Sequence, residues 1–281
     1  MLKCFFVSDL HGRIDRYLKL FTHIRTGKPD VVLLGGDLLP HGMHRTIHDD
    51  FVEEFLFEQL KNLSLEMADE YPEVLLILGN DDPRSEEKRF IKYEQERIWK
   101  YIHQKKLMIE GYTFYGYAYV PPTPFRLKDW ERYDVSRFVD PGCIPPDEGI
   151  RTIDTGEDIE YSTIRKDLKY LANDEDLEKS IFLFHSPPYK SNLDRAALDG
   201  QMIEHVPLDV HVGSIAIMEF INDRQPLITL HGHIHESTRL TGKWSQQFGR
   251  TYAYSAAWDG PELALIIFDP ELPQEAVWQL I

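Results

Sequence analysis

Residues 3–12 read Lys-Cys-Phe-Phe-Val-Ser-Asp-Leu-His-Gly, and this stretch decides the fold. A short apolar run of strand length ends there in an acidic residue and a histidine. The pattern recurs at residues 31–37, Val-Val-Leu-Leu-Gly-Gly-Asp, and at residues 74–81, Val-Leu-Leu-Ile-Leu-Gly-Asn-Asp. Because each run is continuously apolar rather than alternating, the pattern predicts strands that are covered on both faces.

Apolar residues at helical spacing separate these three runs. They are Ile14, Leu18, Phe21 and Ile24 in the first interval, and Phe51, Phe55, Leu56 and Leu60 in the second. The first third of the chain therefore predicts a βαβαβ unit with a parallel sheet. Open α/β sheets place their ligand sites at the carboxyl ends of the strands. The polar residues that follow the three runs are thus expected to converge.

The middle of the chain is less regular. The spacing predicts a helix over 85–103, paired strands over 107–120 and a second helix over 162–173. Between them, residues 121–161 are rich in proline, glycine and aspartate, which favours an irregular excursion. Residues 181–184 then form another apolar run of strand length, and His185 follows it directly.

The last third predicts one more helix and three strands. The helix covers 212–223, and the strands cover 227–230, 251–256 and 263–268. The sequence Gly-His-Ile-His, residues 232–235, comes just after the first of these strands. Since no repeat or linker marks a boundary, we expect a single domain over residues 1–281 with an irregular insertion at about 121–161.

Net charge and cysteine content indicate which binding partners and which cellular compartment the chain can have. The formal net charge of −16 would repel duplex nucleic acid and anionic membranes. No stretch approaches the ~20 apolar residues that span a bilayer. The two cysteines, Cys4 and Cys143, make neither a disulfide framework nor a thiolate zinc site. We therefore expect a cytoplasmic protein without a membrane or duplex nucleic-acid partner, and its oligomeric state stays open.

Five polar clusters follow the predicted strands, and together they offer oxygen and nitrogen ligands for two metal ions. Each has an ordinary alternative, since Asp9 could be a turn residue and His233 and His235 could be edge residues of a strand. The five clusters in this order are far more specific than any one of them. They are Asp9-Leu10-His11, Gly36-Asp37, Gly79-Asn80-Asp81, His185 and Gly232-His233-Ile234-His235.

In these clusters the chain resembles the calcineurin-like metallophosphoesterase superfamily. The resemblance implies a four-layer α/β/β/α sandwich of two mixed sheets flanked by helices. It also implies one metal held by Asp9, His11, Asp37 and His235, and another held by Asp37, Asn80, His185 and His233, with Asp37 as the bridging ligand. Carboxylate, amide and imidazole ligands suit divalent or trivalent Mn and Fe ions, or divalent Zn. Two such ions would lower the pKa of a bridging water and so would supply the hydroxide for attack on a phosphoester.

One position departs from the family pattern. Many members carry a histidine after the Gly-Asn pair, where it is implicated in protonating the leaving group, and this chain has Asp81. A carboxylic acid beside two cations has a lowered pKa, which makes Asp81 a poor general acid. Three histidines near Asp37 are candidates to replace the missing one: His41, His44 and His48. We favour His41, which is nearest to Asp37, although solvated or helix-capping histidines are the plainer interpretation.

Other residues carry weaker expectations. Asp82, before Pro83, is typical of a helix cap. The aromatic stretch at 112–119 favours strands of a second sheet. Beyond it, Arg126 is a candidate contact for a phosphate, and His211 is a candidate contact for substrate.

The sequence thus predicts a dinuclear metal-dependent phosphoesterase. Its substrate would be a small phosphodiester or phosphomonoester, nucleotide-like compounds included, and the missing histidine tilts the choice slightly toward diesters. Asp37, Asn80, Asp81 and His41 are the predicted catalytic residues. A metal-dependent nuclease and a noncatalytic metal-binding scaffold of the same fold are the alternatives. Fold resemblance by itself does not fix the substrate.

Overall fold

The computed structural model describes residues 1–40, 50–156 and 158–281. The strands within them are β1 (Cys4–Val7), β2 (Val31–Gly35), β3 (Glu73–Ile77), β4 (Lys100–Tyr101), β5 (Lys106–Ile109), β6 (Tyr112–Tyr117), β7 (Ser180–Phe184), β8 (Met202–Ile203), β9 (Val206–Pro207), β10 (Ile228–His231), β11 (Ser245–Phe248), β12 (Thr251–Ser255), β13 (Ala264–Phe268) and β14 (Val277–Leu280). The α-helices are α1 (Ile14–Gly27), α2 (Glu58–Met67), α3 (Glu87–Glu94), α4 (Ile164–Ala172), α5 (Ile215–Arg224) and α6 (Ser237–Thr241).

The first sheet has the strand order β14-β13-β1-β2-β3-β4. Its strands β1, β2, β3 and β4 run parallel, with Phe5 opposite Val32 and Val32 opposite Val74. The predicted βαβαβ unit is therefore confirmed. Strand β13 pairs antiparallel with both β1 and β14, which makes the sheet mixed. The core strands are buried along their length because a helix layer covers one face and the second sheet covers the other.

The second sheet has the strand order β11-β12-β10-β7-β6-β5. Its four inner strands are parallel, and the two edge strands pair antiparallel with their neighbours. The paired strands expected over 107–120 are β5 and β6, so the aromatic stretch does build this sheet. In its core the Tyr115 ring stacks on Phe182 with centroids 4.3 Å apart.

The two sheets face each other, with β2 against β7 and β3 against β6. Helix α1 covers the first sheet with its buried face, which includes Tyr17 and Leu20. Helices α4 and α5 contact each other on the second sheet, where Phe220 of α5 meets Phe182 at 4.9 Å between ring centroids. The predicted four-layer arrangement of two mixed sheets flanked by helices is confirmed.

The helix predicted over 85–103 is wrong at its C-terminal end. One turn of 3-10 helix at Arg84–Glu86 leads into α3, which ends at Glu94. Arg97 adopts a left-handed φ of 60°, and the chain then turns back into β4. The indole N–H of Trp99 donates to the Phe90 carbonyl at 2.9 Å and holds this turn against the helix. Pairing of β4 with the distant strand β3 thus overrides the helical spacing of this part of the sequence.

The insertion at 121–161 is irregular as expected, and its described residues contain only isolated β-bridges. It is nevertheless anchored by buried groups. Trp130 is fully buried and donates its indole N–H to the Asp82 carbonyl at 2.9 Å. Lys128 and Glu131 form a buried ion pair at 2.5 Å. The Trp130 hydrogen bond attaches the insertion to the loop that follows β3, and the ion pair holds the insertion together internally.

Among the described residues, no helix combines the length and the apolarity that crossing a bilayer requires.

Candidate metal centre

The loops after β1 and β2 are joined by backbone hydrogen bonds. The N–H of Asp9 donates to the Gly36 carbonyl at 3.0 Å, and the N–H of His11 donates to the Asp37 carbonyl at 2.8 Å. Asp9, His11 and Asp37 all have left-handed φ values, of 57°, 47° and 51°. Such values are uncommon outside glycine and concentrate at functional sites. The loops therefore hold these three side chains in a strained, fixed arrangement.

The first ligand cluster consists of Asp9, His11, Asp37 and His235. Their candidate ligand atoms all lie within 4.8 Å of one another. The Nε2 atoms of His11 and His235 are 3.1 Å apart, and Nε2 of His235 lies 3.2 Å from Oδ1 of Asp9. The backbone N–H of His233 donates to the same Asp9 carboxylate at 3.1 Å. The end of β10 is thereby attached to the end of β1.

The second ligand cluster consists of Asp37, His185 and His233, again within 4.8 Å. Nε2 of His185 lies 3.3 Å from Oδ2 of Asp37 and 3.0 Å from Oδ1 of Asn80. Asn80 thus completes the second set, and Asp37 belongs to both clusters. The structure brings together all seven residues that the sequence predicted as metal ligands.

The donor set fits metal ions. The Nδ1 atom of the fully buried His185 lies 2.8 Å from the Gly35 carbonyl, so Nδ1 carries the proton and donates it there. Nε2 is therefore the ring atom directed at the cluster, and it offers a lone pair there once it has lost its proton, the orientation that metal-binding histidines commonly receive from a second hydrogen bond. Carboxylate, amide and imidazole atoms are suitable donors for first-row transition metals.

Two glycines allow the backbones to approach this closely. A Cβ on Gly79 would lie 2.3 Å from Oδ1 of Asp37 and 2.7 Å from Nε2 of His185. A Cβ on Gly232 would lie 2.0 Å from the Ser8 hydroxyl and 2.7 Å from Oδ2 of Asp9. Both positions exclude a side chain because ligand atoms, and at Gly232 also the Ser8 hydroxyl, occupy the space.

Burial and charge perturb the site's acid–base groups strongly. Burial alone would raise the pKa of Asp9, but the charge and hydrogen bond of His235 outweigh it and hold the pKa at about 2. Burial would lower the pKa of His185, yet Asp37 raises it to about 10. Burial, with the charge of His185, lowers the pKa of His233 to about 3. The carboxylates thus attract positive charge, and a metal ion bound there would displace the proton of His185.

Asp81 lies beside the ligands Asp37, Asn80 and His11 and is more exposed than they are. Its backbone N–H donates to Oδ1 of Asp37 at 2.8 Å, and the side-chain amide of Asn80 donates to its Oδ1 at 3.2 Å. Its Oδ2 is 3.9 Å from Nδ1 of His11. The Asp81 side chain is 34% exposed, against 2% for Asp37. The proposed proton donor His41, like His44 and His48, lies outside the described residues.

Asp82 has a role that the sequence did not reveal. Its fully buried carboxylate accepts hydrogen bonds from the backbone N–H groups of Leu38 (3.0 Å), Leu39 (2.8 Å) and Gly79 (2.9 Å). Burial and the charge of Asp37 raise the pKa of Asp82 to about 7, against the effect of these donors. The expected helix cap is wrong, because the side chain joins the loops after β2 and β3. The signal in the sequence that could have revealed this role is the position of Asp82 as the acidic residue of the Gly-Asn-x-Asp motif.

The two predicted substrate contacts lie outside the ligand clusters. Arg126 is exposed in the insertion, where its carbonyl accepts from the N–H of Ile150 at 2.7 Å. Nδ1 of His211 lies 2.8 Å from Oδ1 of the fully buried Asp194. His211 also bridges to Arg195, whose N–H donates to the hydroxyl of Ser237 at the start of α6. Contact of either residue with substrate stays a prediction.

Two mixed sheets gather carboxylates and imidazoles at their strand ends, an arrangement typical of metal-dependent hydrolases. Within that class, the chain belongs to the calcineurin-like phosphoesterase family, whose model matches residues 2–237. This confirms the resemblance that the five clusters indicated. No curated protein sequence matches the chain.

Solved structures share the fold at low sequence identity. TT1561 of Thermus thermophilus is 16% identical, with 99% of this chain and 98% of that chain covered and a TM-score of 0.57. A second crystal structure has the same identity and coverage and a TM-score of 0.60. A novel archaeal phosphodiesterase is 12% identical over 100% of both chains with a TM-score of 0.49, which is too low to carry an argument. At these identities the similarity shows the fold alone.

Proposed function

We propose that the protein is a dinuclear metal-dependent phosphoesterase that hydrolyses a small phosphodiester or phosphomonoester, nucleotide-like compounds included. One observation carries the proposal: Asp37 belongs to two ligand clusters whose donor atoms lie within 4.8 Å of one another. A carboxylate shared in this way supports a bridged pair of ions. Family membership supports the phosphoester substrate.

The seven candidate ligands would bind the two ions in two sets. Asp9, His11 and His235 would hold one ion and Asn80, His185 and His233 the other, with Asp37 between them. When bound, the two ions would lower the pKa of the attacking water and draw charge from the phosphoryl oxygens. The ions would be Mn or Fe in a divalent or trivalent state, or divalent Zn. Oriented donors around them would keep the centre rigid, which lowers the reorganisation that the reaction needs.

Proton transfer to the leaving group needs a separate residue. Asp81 is a carboxylate beside the ligand Asp37 and would be ionised next to two cations, so it accepts hydrogen bonds but has no proton to give. His41 is our proposed donor because it lies only four positions after Asp37. If this is correct, His41→Ala slows esters with poor leaving groups more than esters with good ones.

The net charge of −16 supports a small ester over duplex nucleic acid. The nuclease and scaffold alternatives are separated from our proposal by one experiment. The chain is freed of metal, reloaded with Mn²⁺, analysed for metal content and tested on mono- and diesters and on a labelled oligonucleotide. We expect about two ions per chain and hydrolysis of small esters. A fully loaded protein that is inactive on every ester would support the scaffold, and salt-dependent oligonucleotide cleavage would support the nuclease.

A further inference from the structure

A cavity of about 290 Å³ lies between the outer edges of the two sheets. One wall is formed by β11 and β12, at the edge of the second sheet, and the other by the 3-10 turn at Pro273–Glu275 that leads into β14, the edge strand of the first sheet. Among the described residues that line it, none is a candidate metal ligand. The volume is close to the lower end of the range for small-molecule pockets, about 300–1,000 Å³.

Aromatic rings line this cavity. The rings of Trp244 and Tyr254 lie 5.7 Å apart between centroids, and Tyr254 packs on Phe268 of β13 at 5.9 Å. The Tyr254 hydroxyl donates to the Pro273 carbonyl at 2.5 Å and so joins β12 to the turn before β14. Tyr254 is 2% exposed, whereas Trp244 and Tyr252 are half-buried. The last two rings therefore offer accessible apolar surface to a ligand.

The polar groups that line the cavity have free hydrogen-bonding capacity. In the part of the chain that the structure describes, the indole N–H of Trp244, the hydroxyls of Ser245 and Tyr252 and the amide of Gln274 make no hydrogen bond to another protein group. Gln246 accepts from the N–H of Asn192 at 2.8 Å through Oε1, which leaves its Nε2 as a donor. These groups come from β11 with its preceding turn, from β12 and from the turn before β14.

The lining excludes a charged ligand. Within the described residues, no charged side chain lines the cavity, although Glu275 belongs to the same turn as Gln274. A phosphate or a carboxylate would find no cation there, and an ammonium group would find no carboxylate. A purely apolar ligand would leave the amides and hydroxyls without partners.

A sugar ring has the features that this lining requires. Its faces carry C–H groups that pack on aromatic rings, and each hydroxyl around its rim both donates and accepts. A nucleobase also stacks on aromatic rings, but its polar atoms lie on fixed edges in one plane. Free groups that come from three segments of the chain match hydroxyls spread around a ring better than the edge of a base.

We propose that this cavity binds a neutral sugar in its pyranose form. Trp244 and Tyr252 would contact the ring, and Ser245, Gln246 and Gln274 would bond to its hydroxyls. The inference goes beyond the proposed phosphoesterase function and does not depend on it, because the cavity needs no metal.

The test follows the indole N–H signals of the five tryptophans in proton–nitrogen NMR spectra of metal-free protein in EDTA. Glucose, galactose, mannose and N-acetylglucosamine are titrated separately, and Trp244→Phe assigns the Trp244 signal. We expect at least one sugar to shift this signal with a dissociation constant of about 1–10 mM. The signals of the buried Trp99 and Trp130 should stay in place.

Two variants locate the sugar. Tyr252→Phe keeps the ring and removes the hydroxyl, and Gln274→Ala removes an exposed amide. Since each would lose a hydrogen bond to the sugar, we expect each to bind it about fivefold more weakly. Tyr170→Phe, on α4 and 90% exposed, and Gln95→Ala, at the end of α3, are the matched controls and should bind the sugar as the wild type does.

Binding of none of the four sugars would overturn the inference and leave the phosphoesterase proposal intact. A shift caused by adenine or uracil but by no sugar would also overturn it, because the cavity would then be a base-binding site. Unchanged sugar affinity in both variants would place the sugar elsewhere on the protein. Sugar binding that requires Mn²⁺ would place it at the metal centre and would equally contradict the inference.

Discussion

At the scale of single residues, Asp37 is the side chain that both ligand clusters share. Its carboxylate lies 3.9 Å from Nε2 of His11 on one side and 3.3 Å from Nε2 of His185 on the other. Asp9 is equally buried but belongs to the first cluster alone. Asp37 and Asp9 therefore allow a matched comparison of a shared and an unshared ligand.

Replacing Asp37 by Ala should abolish binding of both ions, whereas Asp9→Ala should weaken one ion and leave the other. Loss of a shared carboxylate removes a ligand from each set and also uncovers the positive charge of two neighbouring cations. Elemental analysis of dialysed protein counts the ions per chain. Two ions retained in Asp37→Ala would contradict the bridging assignment.

Asp82 acts through other residues, since it holds the loops that carry Asp37 and Asn80. In Asp82→Asn the amide group would face backbone N–H donors with a donor of its own, so at least one buried N–H loses its partner. We expect the free energy of unfolding to fall by about 2 kcal/mol. Urea unfolding of the metal-free protein measures the change.

An exposed carboxylate serves as the control for this change. Asp69→Asn, in the 3-10 turn after α2, should alter the free energy of unfolding by less than about 0.5 kcal/mol. Equal stability of Asp82→Asn and wild type would show that the three hydrogen bonds contribute nothing net.

At the scale of elements, helix α1 fixes the loop that follows β1. Arg16, on its first turn and 4% exposed, donates to the Asp9 carbonyl at 2.7 Å and to the Gly260 carbonyl at 2.7 Å. One guanidinium thus joins the left-handed turn at Asp9 to the loop between β12 and β13. The helix thereby brings a positive charge to the carbonyl oxygens of two loops.

Replacing Arg16 by Lys should keep the charge and lose the bridge, because an ammonium group cannot reach both carbonyls with the same planar fork. We expect a loss of about 1–3 kcal/mol in unfolding free energy. We also expect weaker Mn²⁺ binding at the first cluster. Titration of the metal-free protein with Mn²⁺ measures this affinity. Arg25→Lys is the control, since the exposed Arg25 in the last turn of the same helix pairs with Glu66. Equal effects of the two substitutions would refute the special role of Arg16.

The sequence predicted those elements whose structure depends on residues close together along the chain. Continuous apolar runs located β1, β2, β3, β7 and β10, and the polar residues after them located the seven candidate ligands. The sequence did not predict the edge strands β11 and β14. Their residues are at most partly buried, and these segments are strands because they pair with β12 and β13. Asp82 was misassigned for the same reason, because its partners lie 44 and 43 positions away along the chain.

At the scale of the whole molecule, both sheets contribute to the centre. The loops after β1, β2 and β3 of the first sheet provide Asp9, His11, Asp37 and Asn80, and the loops after β7 and β10 of the second sheet provide the remaining three imidazoles. Bound ions would therefore link the two sheets. The single domain and the cytoplasmic location stay predictions, because nothing observed bears on either.

Mn²⁺ should stabilise the folded protein, and chelation should reverse the effect. An ion that binds only the folded state and is present at 100 times its dissociation constant adds about 2.7 kcal/mol, which corresponds to a rise of roughly 5 °C in the thermal midpoint for a chain of this size. Differential scanning calorimetry with Mn²⁺ and with EDTA measures the shift. The Asp37→Ala variant should show none, and a similar shift in that variant would mean that the ions bind elsewhere.

The division of ligands between the sheets also sets an order of events during synthesis. The oxygen donors Asp9, Asp37 and Asn80 leave the ribosome first, on strands that pair with their neighbours in sequence. The imidazole of His185 follows about a hundred residues later, and those of His233 and His235 later still. A nascent chain thus presents an oxygen-rich half-site with a single imidazole, that of His11, long before it offers the other three imidazoles. Selection of a transition metal must wait until the second sheet has been made.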